Sequence, residues 1–294
     1  MKIAHITHSD LDGFGCSVLV GMVHPQRKTF FCGYNDIDRT VEKCMEDYDE
    51  IILTDIVPGK KVLTELLLFK GAKVTIIDHH KRSALKALEN LWEHATVVYD
   101  DSMSGTALVF QHWFPSFLEL KGKYPHLPEW VMAVNARDLW LREDADLWLV
   151  GDGLDRLRAF FGRKYFLNRE PTPLLTSEES LVVANLVRQE RGYIRAKMHR
   201  ATLGVDENGD TFAWVIASRH TSQLGHQLAN EAGANYGAVY LPEFGKVELR
   251  SNGFDVGALA LQRGGGGHER ASGYLVDEVR FEDIIPKNAP RDTE

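Results

Sequence analysis

The chain has 294 residues, 44% of them hydrophobic and 26% charged, an ordinary composition for folded protein and enough for about two domains. Disordered and fibrous classes are thereby excluded. Its 34 Lys and Arg against 42 Asp and Glu leave a formal charge of −8, which argues against long nucleic acid, duplex DNA included, held on a broad basic surface. Any phosphate-bearing substrate is therefore expected to be short or held locally. Apolar runs such as Leu66–Phe69 fall far short of the roughly 18–20 residues of a membrane span, so no membrane partner is expected. Met1-Lys2-Ile3-Ala4-His5 enters a strand pattern directly, without the regions of a signal peptide. Cys16, Cys32 and Cys44 are odd in number and form no C-x-x-C pair. A reducing, cytoplasmic location is predicted.

In chain order, Lys2–Thr7, Thr29–Gly33, Glu50–Thr54, Lys73–Ile77 and Ala95–Tyr99 are short β-branched runs that predict strands. Helical patterns at Asp38–Glu46, Gly59–Lys70 and Ser83–Leu91 alternate with them, which predicts an α/β domain with a mostly parallel sheet. Ser104-Gly105-Thr106 opens a helix to about Trp113, and a second runs from about Glu129 to Asn135. Trp113, Phe114 and Phe117 fit either a local core or a contact surface; the sequence does not state an oligomeric state. Thr176-Ser177-Glu178-Glu179 starts a long helix to about His199 that serves as connector. Thr202–Val205 and Thr211–Ala217 flank an Asn-Gly turn as a hairpin. Strands at Tyr236–Leu241, Lys246–Arg250 and Gly273–Val276, with helices near Gly225–Glu231 and Val256–Gln262, complete a smaller α+β domain. The domains read as 1–175, a linker helix 176–199, 200–285, and a loose polar tail 286–294.

Each N-terminal strand leads into acids: His8-Ser9-Asp10-Leu11-Asp12-Gly13, then Asp55, then Asp78-His79-His80, then Asp100-Asp101. In an open parallel sheet those carboxyl ends meet on one edge, so residues distant in sequence converge in one crevice. Clustered carboxylates repel unless cations neutralise them or some take up protons, and bound divalent metal is the economical answer. Carboxylates with imidazole and no thiolate suit Mn²⁺, Mg²⁺ or Fe²⁺. Five or more such ligands suffice for two ions about 3.5–4 Å apart, the usual device for hydrolysing phosphate esters. A lone Asp after a strand is more often a cap or turn residue, which suffices for Asp100 and Asp101 but not for all the clusters together. Only one of His79 and His80 is expected to ligate directly, since adjacent side chains point differently.

The second chemical feature is Gly264-Gly265-Gly266-Gly267-His268, between a helix and a strand. Its backbone amides are open to a close-approaching anion and His268 adds a charge-assisted hydrogen bond, a phosphate cradle. Arg250, Ser251 and Asn252 end a strand upstream and offer further phosphate or sugar contacts. Phe254 and Tyr274 fit a base stack or the core.

His8-x-Asp10-x-Asp12-Gly13, Asp55, Asp78-His79-His80 and Gly265-Gly266-Gly267-His268-x-x-Ala271-x-Gly273, in this order over nearly the whole chain, resemble the DHH phosphoesterase superfamily with its DHHA1 companion domain. The likeness is greatest to the branch that degrades short oligoribonucleotides. The resemblance implies a parallel-sheet DHH domain joined by a long helix to a DHHA1 domain. It implies two divalent ions, Mn²⁺ first with Mg²⁺ or Fe²⁺ as alternatives. Asp10, Asp12, Asp55 and His79 become metal ligands with Asp55 the bridge, Asp78 and His80 hold the site and touch phosphate, and Asp138 in Val134-Asn135-Ala136-Arg137-Asp138 supplies the later ligand ahead of Asp100. Many small-nucleotide members carry a histidine four residues before the first Asp; Ile6 stands there in this chain, and His8, two before, is the candidate. Arg250, Ser251, Gly265, Gly266, Gly267 and His268 fall where the family holds the substrate's terminal phosphate. The expected activity is Mn²⁺-dependent hydrolysis of very short RNA to mononucleotides. The alternatives are 3′-phosphoadenosine 5′-phosphate, cyclic or linear dinucleotides, or polyphosphate as substrate, or a nucleotide-binding module without turnover.

Overall fold

The computed structural model describes residues 1–276 apart from Arg82 and Ala232, so the predicted loose tail and the last residues of the predicted second domain lie outside the described residues. Two compact units divide within the long connecting helix, the first being Met1–Ala184 and the second starting at Asn185.

In the first unit β1 (Ile3–His8), β2 (Lys28–Cys32), β3 (Glu50–Thr54), β4 (Lys73–Asp78) and β5 (Thr96–Tyr99) form one sheet in the order β2-β1-β3-β4-β5, every pair parallel. The predicted strands are all present. Helices cover both faces, which is why β3 is buried at every residue. Alternate residues feed two cores. Ala4, Ile6, Ile51, Leu53, Val74 and Ile76 pack under α2 (Ile37–Asp47) and α3 (Lys60–Leu68). Ile3, Ile52 and Ile77 face α1 (Leu11–Val23), α4 (Gly105–His112), α5 (Phe114–Glu119), α6 (Leu127–Asp138) and α7 (Ala145–Asn168). On that second face His5, Thr7 and Thr54 are buried yet satisfied. His5 Nε2 lies 2.9 Å from Thr54 Oγ1, which donates to Thr7 Oγ1 at 2.8 Å, and Thr7 donates to the Gly13 carbonyl at 3.2 Å. The relay runs in one direction only with the His5 proton on Nε2. It ties the sheet to the first turn of α1.

Three helices lie outside the elements the sequence predicts, α1, α5 and α7. Of these, α1 and α7 contain glycines that act as contact points. A Cβ on Gly15 would sit 2.2 Å from Thr106 Oγ1 of α4, and one on Gly151 2.2 Å from the Ala133 carbonyl of α6. Close helix approach therefore outweighs the ~1 kcal/mol propensity cost of each glycine. Where a helix is predicted at Ser83–Leu91, a 3-10 segment runs from Lys86 to His94, and Trp92 Nε1 takes the Leu85 carbonyl. Phe117 is buried and stacks on Phe110 at 5.2 Å, with Trp113 packed beside it, so Phe117 and Trp113 belong to a local core, while Phe114 is 44% exposed.

From Ser177 to Met198 α8 runs as one helix. The second unit holds a six-stranded mixed sheet of β6 (Thr202–Val205), β7 (Thr211–Ile216), β8 (Tyr236–Leu241), β9 (Lys246–Ser251), β10 (Gly266–His268) and β11 (Ala271–Leu275), ordered β10-β11-β9-β8-β7-β6. The hairpin turns at Gly209, φ +87°, as the Asn-Gly pair predicts. The connection through α9 (Thr221–Leu228) makes β7 and β8 parallel; the other pairs are antiparallel. Residues of α8 and α9 pack on one face, and α10 (Val256–Gln262) on the other, where Phe254 stacks on Tyr236 and Tyr274 joins the same core.

Candidate metal centre

At the end of β1 the chain turns through His8-Ser9-Asp10 into α1. Asp10 is the N-cap: its Oδ1 accepts the Gly13 amide at 3.0 Å, and its Oδ2 takes His8 Nδ1 at 2.7 Å. Gly13 has to be glycine, because a Cβ would stand 2.1 Å from the His8 carbonyl oxygen. Asp12 is buried in the first turn of α1 and reaches the N-terminus of α4, accepting the amides of Gly105 at 2.6 Å and Thr106 at 2.8 Å. A helix N-terminus is a natural partner for a buried carboxylate, and it locks the Asp12 side chain in place.

Asp55 follows β3 in the left-handed region at φ +58°, a conformation Asp tolerates better than most residues, with its amide bonded to the Ile77 carbonyl at 3.0 Å. The turn aims its buried carboxylate along the sheet edge, where Oδ1 lies 3.2 Å from His79 Nε2 and Oδ2 has no partner among the described residues. His79 Nε2 is also 3.6 Å from Asp138 Oδ2, at the end of α6, and 3.7 Å from Asp12 Oδ2. Asp78 is buried, holding His80 Nδ1 at 2.8 Å through one oxygen, while the other has no partner among the described residues. Three sets of side chains have ligand atoms within 4.8 Å of one another: His8, Asp10 and Asp55; Asp55, His79 and His80; Asp12, His79 and Asp138. The structure thus brings together every metal-ligand candidate of the sequence, with Asp55 shared by two sets. His80 joins one set beside His79, whereas the sequence expects only one of the two to ligate. Asp100 stays out of all three, its carboxylate taking the Ser102 amide at 2.8 Å in an exposed turn.

Burial together with the charges of Asp10, Asp12 and Asp138 pushes Asp55 well above the usual carboxylate range. Burial and Asp12 push Asp138 up to about 8, against the pull of His79. For Asp10 burial is outweighed by the His8 contact and the Gly13 amide, and its carboxyl lies below the ordinary range. His79 goes up, because Asp138, Asp12 and Asp78 outweigh its burial. Carboxylates this close have to hold protons or a cation. Two buried oxygens lacking a partner among the described residues, on Asp55 and Asp78, and a donor set of carboxylate and imidazole without thiolate fit a hard or borderline divalent ion.

Two groups of residues around the centre escape the sequence reading. On α7, Arg158 donates to the Ser9 carbonyl at 3.2 Å, between His8 and Asp10, and grips Asp155 at 2.8 and 3.0 Å. Asp155 also receives Arg137, next to Asp138, at 3.1 Å. One carboxylate thus braces two ligand-bearing segments. Its only sequence signal is the spacing Asp152, Asp155, Arg156, Arg158, which reads as a solvated helix face. Tyr34, after β2, is the second: its ring centroid is 5.5 Å from that of His8.

In the second unit the register places Gly237, Arg250, Ala271 and His268 in one row across β8, β9, β11 and β10. Cross-strand partners share a face, so Arg250 and His268 flank the small Ala271. Ser251 takes the opposite face by the two-residue period, is buried, and gives its hydroxyl to the Phe254 carbonyl. Gly264, at φ +73°, and Gly265 send their amides to Leu261 and Ala260, a Schellman stop for α10, so these two amides are not open to an anion. Gly266, Gly267 and His268 are exposed on the short edge strand β10; Gly267 has φ +132° and a Cβ there would strike Ser272.

A five-stranded parallel layer with an acid–histidine centre at its carboxyl edge, followed by a mixed sheet bearing the glycine–histidine strand, is the fold of DHH-domain proteins, and the centre suits a metal-dependent phosphoesterase. Within that class the chain resembles oligoribonuclease NrnB of Bacillus subtilis, with 26% identity over 302 residues, covering 93% of this chain and 73% of NrnB. Among solved structures it is similar in fold to the DHH domain of a protein described as a member of a ribosomal-protein family, with a TM-score of 0.65, 15% identity and coverage of 96% and 84% of the two chains. RecJ of Thermus thermophilus in complex with Mn²⁺ gives a TM-score of 0.60 at 15% identity, covering 94% of this chain and 49% of RecJ. No family model matches the chain.

Proposed function

We propose that this protein is a Mn²⁺-dependent phosphodiesterase that hydrolyses short oligoribonucleotides to mononucleotides. The observation that carries the hydrolytic part is the centre in which Asp55 belongs to two ligand sets at once. The likeness to an oligoribonuclease over 93% of the chain supports the substrate, and the charge of −8 fits one needing only local phosphate contacts. His8, Asp10 and Asp55 would hold one ion; Asp12, His79 and Asp138, with Asp55, the other. Bound there, two divalent ions supply Lewis acidity for activating water and neutralising charge on a phosphoryl group.

The protein's own groups set the stage. The α4 amides and Thr7 fix Asp12 and its turn, so no ligand has to be ordered when substrate arrives. Asp78 orients His80 through the 2.8 Å contact at Nδ1. In the second unit we assign the grip on the substrate's terminal phosphate to Arg250 and His268, across the Ala271 gap, with Gly266 and Gly267 admitting close approach.

The test is a chromatographic product assay with Mn²⁺ offering, in parallel, a 5′-phosphorylated RNA dinucleotide, an RNA five-mer, 3′-phosphoadenosine 5′-phosphate, a cyclic dinucleotide and polyphosphate. Mononucleotides released fastest from the RNA dinucleotide support the reading. Faster turnover of any other arm, or none with the ions bound, overturns it. His268→Ala is expected to raise KM on the dinucleotide with little change in kcat.

A further inference from the structure

The carboxyl edge of the first sheet carries three aromatic side chains near the acids, and they differ in what covers them. Tyr99, at the end of β5, packs against Trp92 with Lys86 over its ring at 5.4 Å. Trp140, two residues beyond Asp138, has the guanidinium carbons of Arg137 and Arg142 each 5.1 Å from its ring and Trp148 at its edge. Both are internal packing. Tyr34 is 64% exposed, and its one ring neighbour among the described residues is His8, tilted at 48°.

Its position follows from the strand register. His8 pairs with Cys32, and Tyr34 follows two residues later in the turn that leads into α2, at the same carboxyl edge. Its contact with His8, whose Nδ1 is 2.7 Å from Asp10, sets the ring beside the ligand set of His8, Asp10 and Asp55. An exposed apolar ring of this size gains nothing from water, whereas a nucleobase offers it a flat partner. A nucleobase one sugar away from a phosphate held at the centre is within reach of such a ring.

We infer that Tyr34 is a binding residue that stacks the nucleobase adjoining the scissile phosphate, and so favours nucleotide diesters over phosphate esters without a base. This rests on the short-RNA reading above. Stacking is sequence-tolerant, because every base has a π-face, so it suits degradation of short RNA of any composition.

The test measures KM and kcat for the full chain and Tyr34→Ala on three dinucleotides: the complete one, and two with an abasic residue on either side of the scissile phosphate. Tyr34→Ala should raise KM on the complete substrate roughly 5- to 150-fold, the span of one base stacked on one aromatic ring, with kcat within about twofold. One abasic substrate should abolish that difference and the other preserve it, which identifies the stacked side. Tyr34→Phe should recover most of the affinity. An unchanged KM in Tyr34→Ala overturns the inference while the activity stands. So does an equal rise on all three substrates, or a defect in Tyr34→Phe as large as in Tyr34→Ala, since either points to the hydroxyl. If the parent cleaves none of the three, the short-RNA reading falls and the inference with it.

Discussion

Gly105 is the residue whose smallest change should be felt most at the centre. A Cβ there would lie 2.8 Å from Asp12 Oδ2, 2.9 Å from Asp55 Cβ and 3.2 Å from Cys16 Sγ. None of the three can retreat. Asp12 is 1% exposed and pinned by two amides, one of them that of Gly105 itself; Asp55 is 1% exposed; Cys16 is fully buried. Gly105→Ala must therefore shift Asp12 or Asp55 by several tenths of an ångström, at about 1–3 kcal/mol of stability, as for overpacking in a filled core. A ligand misplaced by up to ~1 Å at a reacting centre costs about 10²-fold in rate. The assays are urea unfolding, a Mn²⁺ titration and kcat on an RNA dinucleotide, with Gly122→Ala as control because nothing lies within 4 Å of its Cβ position. Parental kcat and parental Mn²⁺ affinity in Gly105→Ala would refute the argument that Asp12 and Asp55 are held at the ligand positions from this side.

Burial, with Arg27 and His24, lowers His5 from 6.5 to about 3, so below pH 6.5 the unfolded chain takes up a proton the folded one refuses. Its contribution is complete above that pH and falls by about 1.4 kcal/mol per unit down to about pH 3, or about 2 kcal/mol at pH 5; the parent should lose that much more than His5→Leu between pH 7.5 and 5 by urea unfolding, and equal losses would contradict it. Arg158→Ala removes the brace on Ser9 and should weaken Mn²⁺ binding roughly 10- to 100-fold, as loss of an outer support does, with turnover restored at high Mn²⁺; a kcat defect that excess metal leaves untouched would argue against it. Gly264→Ala forces an alanine into the left-handed stop of α10 and should cost about 1–2 kcal/mol, checked by the unfolding midpoint; an unchanged midpoint would count against the Schellman assignment.

Most of the sheet was legible, because β-branched runs bounded by acids and glycines state a buried parallel strand locally. Glu50–Thr54 and Tyr236–Leu241 coincide with the predicted strands to the residue. What local pattern could not state is what one helix requires of another. Gly13, Gly15 and Gly151 look like interruptions in sequence and are contact points in space, so α1 and α7 were illegible. The ligand candidates were legible as types after strands, but the partners that fix them were not: the α4 amides reach Asp12 across more than ninety residues, and Arg158 reaches Ser9 across 149. The glycine run shows the opposite case. Its composition suggests an anion cradle throughout, whereas Gly264 and Gly265 end a helix and only the stretch from Gly266 to His268 remains exposed on an edge strand.

The central claim is that Asp55 serves two ion sites at once. The measurement that tests it most directly is a Mn²⁺ titration by calorimetry of the parent and Asp55→Asn, read beside mononucleotide release from an RNA dinucleotide. Two ions should bind the parent, with binding weakened at both sites in Asp55→Asn and no release of mononucleotide. Two ions bound to Asp55→Asn at parental affinity, with turnover intact, would contradict it.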